Sequence, residues 1–154
     1  MQEYLFGIDP SLSNTGISIF DLLANPIEIL SIYTNNKKSR GCRLLEIYNK
    51  LNDLKNKYDP KIIVCENSFF RFNKASEAVW EVRGIIELIF NDCEIIFYAP
   101  TSIKKAITGN GKSSKEELQS FILNKYNGIE FSNQDESDSY AIGLSWFYKN
   151  GVIK

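Results

Sequence analysis

Four consecutive apolar residues, Ile62-Ile63-Val64-Cys65, run directly into a carboxylate at Glu66. The run is strand-sized and apolar at odd and even positions alike, so both faces of that strand must be covered. A layered α/β arrangement does this, and the flanking sequence supplies the layers. Upstream, from Arg43 to Tyr58, apolar residues at Leu44, Ile47, Tyr48, Leu51, Leu54 and Tyr58 keep helical spacing, and Asp59-Pro60 ends the helix. Downstream, a second helix from about Lys74 to Phe90 carries Ala75, Ala78, Val79, Val82, Ile85, Ile86 and Ile89, and a strand follows from about Glu94 to Tyr98.

The ends of the chain fit the same plan. Tyr4 to Asp9 reads as a strand, followed by a turn rich in Pro, Ser, Asn and Gly, then strands from about Thr15 to Asp21 and Ile27 to Thr34. After Tyr98, Pro100 opens a short helix and Gly109-Asn110-Gly111 makes a loop. Ser113 or Ser114 caps a helix to about Tyr126, and Ser132 or Asn133 caps a last one to about Tyr148. The order β-β-β-α-β-α-β-α-α-α is that of an α/β, five-stranded mixed sheet flanked by helices on both faces. With 154 residues, one domain is expected.

Histidine is absent, which excludes Ser-His-Asp triads, Cys-His nucleophiles, HExxH zinc sites and imidazole general bases. Any hydrolysis must run on carboxylates and metal. The cysteines, Cys42, Cys65 and Cys93, are odd in number, widely spaced and form no CxxC, so reduced, buried thiols are expected. The N-terminus lacks a signal-peptide pattern and no apolar run is long enough to span a bilayer. A cytoplasmic location without membrane contact is expected.

Carboxylates stand where active sites of α/β sheets gather, at the carboxyl ends of strands. Asp9 closes the first strand on the same face as Leu5 and Gly7, and Glu66 closes another. Taken singly, each also suits a turn or cap; two in one small domain are harder to assign that way. The last helix adds Asp135, Glu136 and Asp138 in its first turn. Glu136 suits the helix dipole and is expected to lie off the inward face. Asp135 and Asp138, at i, i+3 spacing, share a face aligned with Ala141 and Ile142, so both should point inward. Four converging acids repel unless a hard cation, Mg²⁺ or Mn²⁺, compensates them. Two such ions about 4 Å apart could activate a water and stabilise the leaving oxygen of a phosphodiester.

With these residues in view, the chain resembles the RuvC family of Holliday junction resolvases over nearly its whole length. The resemblance rests on Gly7-Ile8-Asp9-Pro10-Ser11 with Thr15-Gly16, on Arg43-Leu44 with Ile47-Tyr48, and on Glu66 with Phe69. It continues through Arg83-Gly84, the loop Gly109-Asn110-Gly111 flanked by lysines, and Asp135-Glu136-Ser137-Asp138-Ser139-Tyr140-Ala141. It implies an RNase H-like fold, a homodimer, and metal-dependent paired nicks in Holliday junctions, with Asp9, Glu66, Asp135 and Asp138 as the catalytic, metal-binding acids. The chain departs from the family in a loop after Glu66 that is about one residue shorter and richer in aromatics, Phe69, Phe70 and Phe72. The compact length and an overall composition rich in Asn, Lys and Ile suggest a phage or prophage version acting on several branched structures, forks included. The alternatives are a different RNase H-like nuclease, for flaps, forks or RNA–DNA hybrids, and a junction-binding protein without chemistry.

Net charge is only −1, yet three windows hold no acid. They contain Lys37, Lys38, Arg40 and Arg43; Arg71 and Lys74; and Lys104, Lys105, Lys112 and Lys115, together ten of the eighteen Lys and Arg. They read either as solvated surface or as phosphate contacts. The first window stands at a helix N-terminus, where cations oppose the dipole and a bound phosphate would reverse the penalty. The resemblance matches Lys104 and Lys115 to DNA-contacting lysines. Phe69 either packs under its loop or stacks on an unpaired base, a contact of about 1–3 kcal/mol. The second helix is the candidate dimer interface, with Trp80 beside Val79 and Ile86.

Overall fold

In the computed structural model, which describes residues 3–67 and 74–154 (side chains of 74–76 excepted), the elements follow in the expected order. They are β1 (Tyr4–Asp9), β2 (Asn14–Asp21), β3 (Pro26–Tyr33), α1 (Arg40–Tyr58), β4 (Ile62–Glu66), α2 (Lys74–Ile89), β5 (Glu94–Tyr98), α3 (Pro100–Thr108), α4 (Lys115–Lys125) and α5 (Gln134–Lys149). The strands form one sheet in the order β3-β2-β1-β4-β5. The first three pair antiparallel as a meander, whereas β4 and β5 join β1 in parallel. Helix α1 begins one turn earlier than the apolar periodicity indicates, because Ser39 accepts from the Cys42 N–H and caps it there.

Side chains alternate across the sheet and divide the core in two. On one face Phe6, Ile8, Ile17, Ile19, Ile63 and Cys65 pack under Ile47 and Leu51 of α1 and Val82, Ile86 and Ile89 of α2. On the other, Leu5, Phe20, Ile62 and Val64 meet Ile103 and Ile107 of α3, Leu118 and Ile122 of α4, and Tyr140, Ile142, Leu144 and Phe147 of α5. Each fully buried large apolar side chain contributes roughly 1.5–3 kcal/mol, so the two-sided burial of β4 expected from its sequence is a principal source of stability.

Helix α5 lies unusually close to the sheet. A Cβ on Gly7 would come within 2.4 Å of the Ser139 carbonyl oxygen and 2.5 Å of the Gly143 nitrogen, and one on Gly16 within 2.0 Å of the Asp135 carbonyl oxygen. Between these contacts the buried Ser18 and Ser139 hydroxyls share a 2.8 Å hydrogen bond. Two strand glycines therefore set the depth at which α5 docks. Among the described residues no helix is long and apolar enough to cross a membrane. Of the three free cysteines Cys65 is buried, its thiol pushed up to about 12 by burial, and Cys93 is half-buried. Cys42, expected to be buried, is exposed at the start of α1.

Candidate active site

Register brings the two strand-end acids together. In the parallel β1–β4 pair Gly7 lies beside Val64 and Ile8 beside Cys65, so the next step sets Asp9 beside Glu66. Across the antiparallel partner Asp9 lies beside Gly16. Gly16, Asp9 and Glu66 thus form a row at one end of the sheet, all on the α5 side. The glycine makes room for the first turn of α5, which carries Asp135 and Asp138.

Asp9, Glu66 and Asp138 line one cavity of about 160 Å³, together with Lys104, Lys115 and an apolar wall that includes Ile103, Leu118 and Ile142. Asp135 stands beside this cavity rather than on its wall. Its Oδ2 accepts from Asn14 Nδ2 at 2.6 Å. Asp138 accepts from Lys115 Nζ at 2.5 Å and from Gln134 Nε2 at 2.9 Å. Burial pushes the Asp9 carboxyl up to about 8, the charges of Asp138, Glu66 and Asp135 add to that, and Lys115 opposes it. Burial pulls the Lys115 ammonium down, but its hydrogen bond to Asp138 and the charges of Asp9 and Glu66 outweigh this and raise it.

The cluster is short of positive charge, and its donors are all hard oxygens, the set that suits Mg²⁺ or Mn²⁺. In the side-chain positions of the structure, however, no group of three acids among the described residues is arranged to coordinate an ion. Lys115 takes up one oxygen of Asp138 instead.

Glu136 differs from its expected place. It is only 7% exposed, and its carboxylate accepts from the Ser132 N–H at 2.7 Å and the Ser31 hydroxyl at 3.2 Å. It is a structural acid joining the start of α5 to β3, so altering it would cost stability rather than be silent.

The basic windows separate in the structure. Lys104 and Lys115 line the cavity, whereas Lys105 and Lys112 are exposed nearby in sequence without an ion pair among the described residues. At the start of α1, Lys37 is exposed; Lys38 pairs with Glu46, and Arg40 pairs with Glu81 at 2.5 Å and Glu77 at 3.7 Å. Arg43 is half-buried and donates to the Thr34 hydroxyl, the Leu12 carbonyl and the Ser13 hydroxyl. Its bonds hold the β1–β2 loop against the end of β3. Phe69 and Arg71, and the side chain of Lys74, lie outside the described residues.

Sequence reasoning missed Asn14, absorbed into a polar turn, and missed what Arg83 does. The Arg83 guanidinium lies 3.6 Å from the centre of the Phe97 ring and 3.5 Å from Asn67 Oδ1, linking α2 to the residue after Glu66. Arg83 also pairs with Glu87 one helical turn on, at 2.9 Å, and its place beside Gly84 on a largely apolar helix was the available signal.

A family model described as crossover junction endodeoxyribonuclease RuvC matches residues 5–146. The chain belongs to the RuvC family. Among curated relatives, the crossover junction endodeoxyribonuclease RuvC of Ehrlichia ruminantium (strain Welgevonden) is 36% identical, covering 94% of this chain and 96% of the relative. That of Prochlorococcus marinus subsp. pastoris is 33% identical, covering 96% and 98%. Among solved structures, T. thermophilus RuvC in complex with Holliday junction substrate superposes with a TM-score of 0.85 at 20% identity, covering 96% of this chain and 94% of that one. The yeast mitochondrial Holliday junction resolvase Ydc2 gives 0.57 at 15% identity, covering 96% and 80%. These two establish the RNase H-like fold of RuvC; the closer sequence relatives establish the activity, crossover junction endodeoxyribonuclease. RuvC nucleases are metal-dependent, in keeping with a site built from carboxylates.

Proposed function

We propose that Asp9, Glu66, Asp135 and Asp138 are the catalytic acids of this RuvC protein and together hold divalent ions, Mg²⁺ or Mn²⁺, two to a site. The observation that carries this is the convergence of acids from β1, β4 and α5 on one lysine-rimmed cavity at the carboxyl end of the sheet. Bound there, such ions supply an activated water and stabilise the leaving oxygen of a phosphodiester. The chain's own residues do the rest. The apolar wall of Ile103, Leu118 and Ile142 limits water around the reacting phosphate. Lys104 and Lys115 hold the phosphate from the α3 and α4 side, with Lys105, Lys112 and Lys37 extending the contact along the backbone. Lys38, Arg40 and Arg43 contribute less, since neighbouring groups already use them. Phe69, three residues after Glu66, and Arg71 and Lys74 complete the contact at the branch point.

The substrate is a four-way DNA junction, which is also what the T. thermophilus relative is described as binding. Forks are a secondary substrate. End-labelled four-way, forked, linear and RNA–DNA hybrid duplexes, each offered with and without Mg²⁺, test this. Paired metal-dependent nicks in the four-way junction are expected, with weaker fork cutting; preferential cutting of the hybrid would overturn it.

Symmetric paired incision needs two sites related by a two-fold axis, and each chain supplies one, so the working unit is a homodimer. Of the α2 residues that sequence suggested for the interface, Trp80 supports this and Ile86 does not. Ile86 is fully buried against the sheet, whereas Trp80 is 48% and Leu88 64% exposed and, with Gly84, they recur every four residues along the outward side. Leu88→Arg is expected to convert the dimer to a monomer in sedimentation analysis and to uncouple the two nicks. A dimer that survives this substitution would place the interface elsewhere.

A further inference from the structure

Asn14 opens β2 and reaches across to the start of α5. Its Nδ2 donates to Asp135 Oδ2 at 2.6 Å and lies 3.4 Å from Asn133 Oδ1. Its own carbonyl oxygen is buried and, among the described residues, accepts no hydrogen bond. Asp135 fixes the sense of this amide, because turning it over would set two unprotonated oxygens 2.6 Å apart. The fold therefore keeps a buried acceptor unsatisfied, a destabilising arrangement, in order to keep a donor on one acid.

That donor is not needed to anchor the helix. Asn133 already caps it, accepting from the Glu136 N–H at 3.0 Å and donating to the Ser31 hydroxyl at 3.0 Å and the Tyr33 hydroxyl at 2.7 Å. Among the described residues Asn14 is, by contrast, the sole hydrogen-bond donor to the Asp135 carboxylate. An aspartate in the first turn of a helix, beside a cavity and next to three like charges, swings readily to solvent unless one oxygen is held.

We infer that Asn14 is a positioning residue for Asp135: it holds Oδ2, fixes the carboxylate plane, and leaves Oδ1 as the oxygen offered to a divalent cation. This rests on the assignment of Asp135 as a metal-binding acid. Groups that orient a ligand in this way change metal affinity about 10- to 100-fold when removed.

The test is Mn²⁺ binding to the metal-free protein, followed by electron paramagnetic resonance of the free ion, with thermal melts of the same samples without metal. Asn14→Ala, and the nearly isosteric Asn14→Leu, should weaken Mn²⁺ binding about tenfold or more. The melting temperature should hold or rise, because the unsatisfied carbonyl has gone. Asp135→Asn should weaken Mn²⁺ at least as much. Unchanged Mn²⁺ binding in both Asn14 variants, or a fall in melting temperature that parallels the fall in affinity, would overturn the role of Asn14 while leaving Asp135 as a ligand. Unchanged binding in Asp135→Asn would overturn the ligand assignment itself.

Discussion

Gly16→Ala should lower junction cleavage on the order of 100-fold although it removes no functional group and adds a single methyl. The new Cβ would stand 2.0 Å from the Asp135 carbonyl oxygen and 2.5 Å from its carbonyl carbon, both backbone atoms that cannot rotate away. Ordinary contact requires more than an ångström of retreat, and the first turn of α5, with Asp135 and Asp138, must make it. A displacement of about 1 Å in a catalytic constellation costs on the order of 100-fold in rate. Overpacking of this kind also costs roughly 1–3 kcal/mol of stability, or about 2–4 °C per kcal/mol for a chain of this size. Gly41→Ala is the control, since a Cβ there meets nothing within 4 Å. Nicking of a labelled junction and a thermal melt decide the matter, and a Gly16→Ala protein cutting at the wild-type rate would show that α5 docks differently.

Asp9→Asn should separate activity from stability in opposite directions. Burial together with the charges of Asp138, Glu66 and Asp135 holds the Asp9 carboxyl up to about 8. Without metal, an ionised Asp9 works against the folded state. The amide keeps the shape and removes the charge, so the metal-free variant should melt higher, by roughly 2–4 °C for each kcal/mol relieved. Cleavage should fall a thousandfold or more, since loss of metal chemistry removes several kcal/mol of barrier lowering at about 1.4 kcal/mol per tenfold. Junction affinity should hold or tighten as a negative charge near phosphate is lost. A lower melting temperature with cleavage retained would make Asp9 a structural acid.

The fold was legible because its signals are local. The two-faced apolarity of Ile62–Cys65, the helical spacing in α1 and α2 and the caps at Ser114 and Asn133 each specify an element by themselves. The same alternation that buries Leu5 and Ile62 put Asp9 and Glu66 on one face, and i, i+3 spacing added Asp135 and Asp138. What escaped depends on contacts between distant elements. Glu136 is three residues from a cap in sequence, yet its environment is set by Ser31 of β3. Asn14 is an unremarked turn residue until α5 arrives above it. Arg43 and Arg40 looked like free cations because their partners, Thr34 and Glu81, are brought in by folding. On α2, the apolar positions from Ala75 to Ile89 did not show which side the sheet covers, and the buried one is that of Val82 and Ile86.

The assignment of the carboxylates is tested most directly by one measurement on Glu66→Gln, binding and cleavage of the same end-labelled four-way junction, with and without Mg²⁺. The wild-type protein should bind in both conditions and nick only with Mg²⁺. The variant should bind as well or better and not nick in either. Glu66→Gln cutting at a near wild-type rate with Mg²⁺, or wild-type cutting without any divalent ion, would contradict a metal site built on Asp9, Glu66, Asp135 and Asp138.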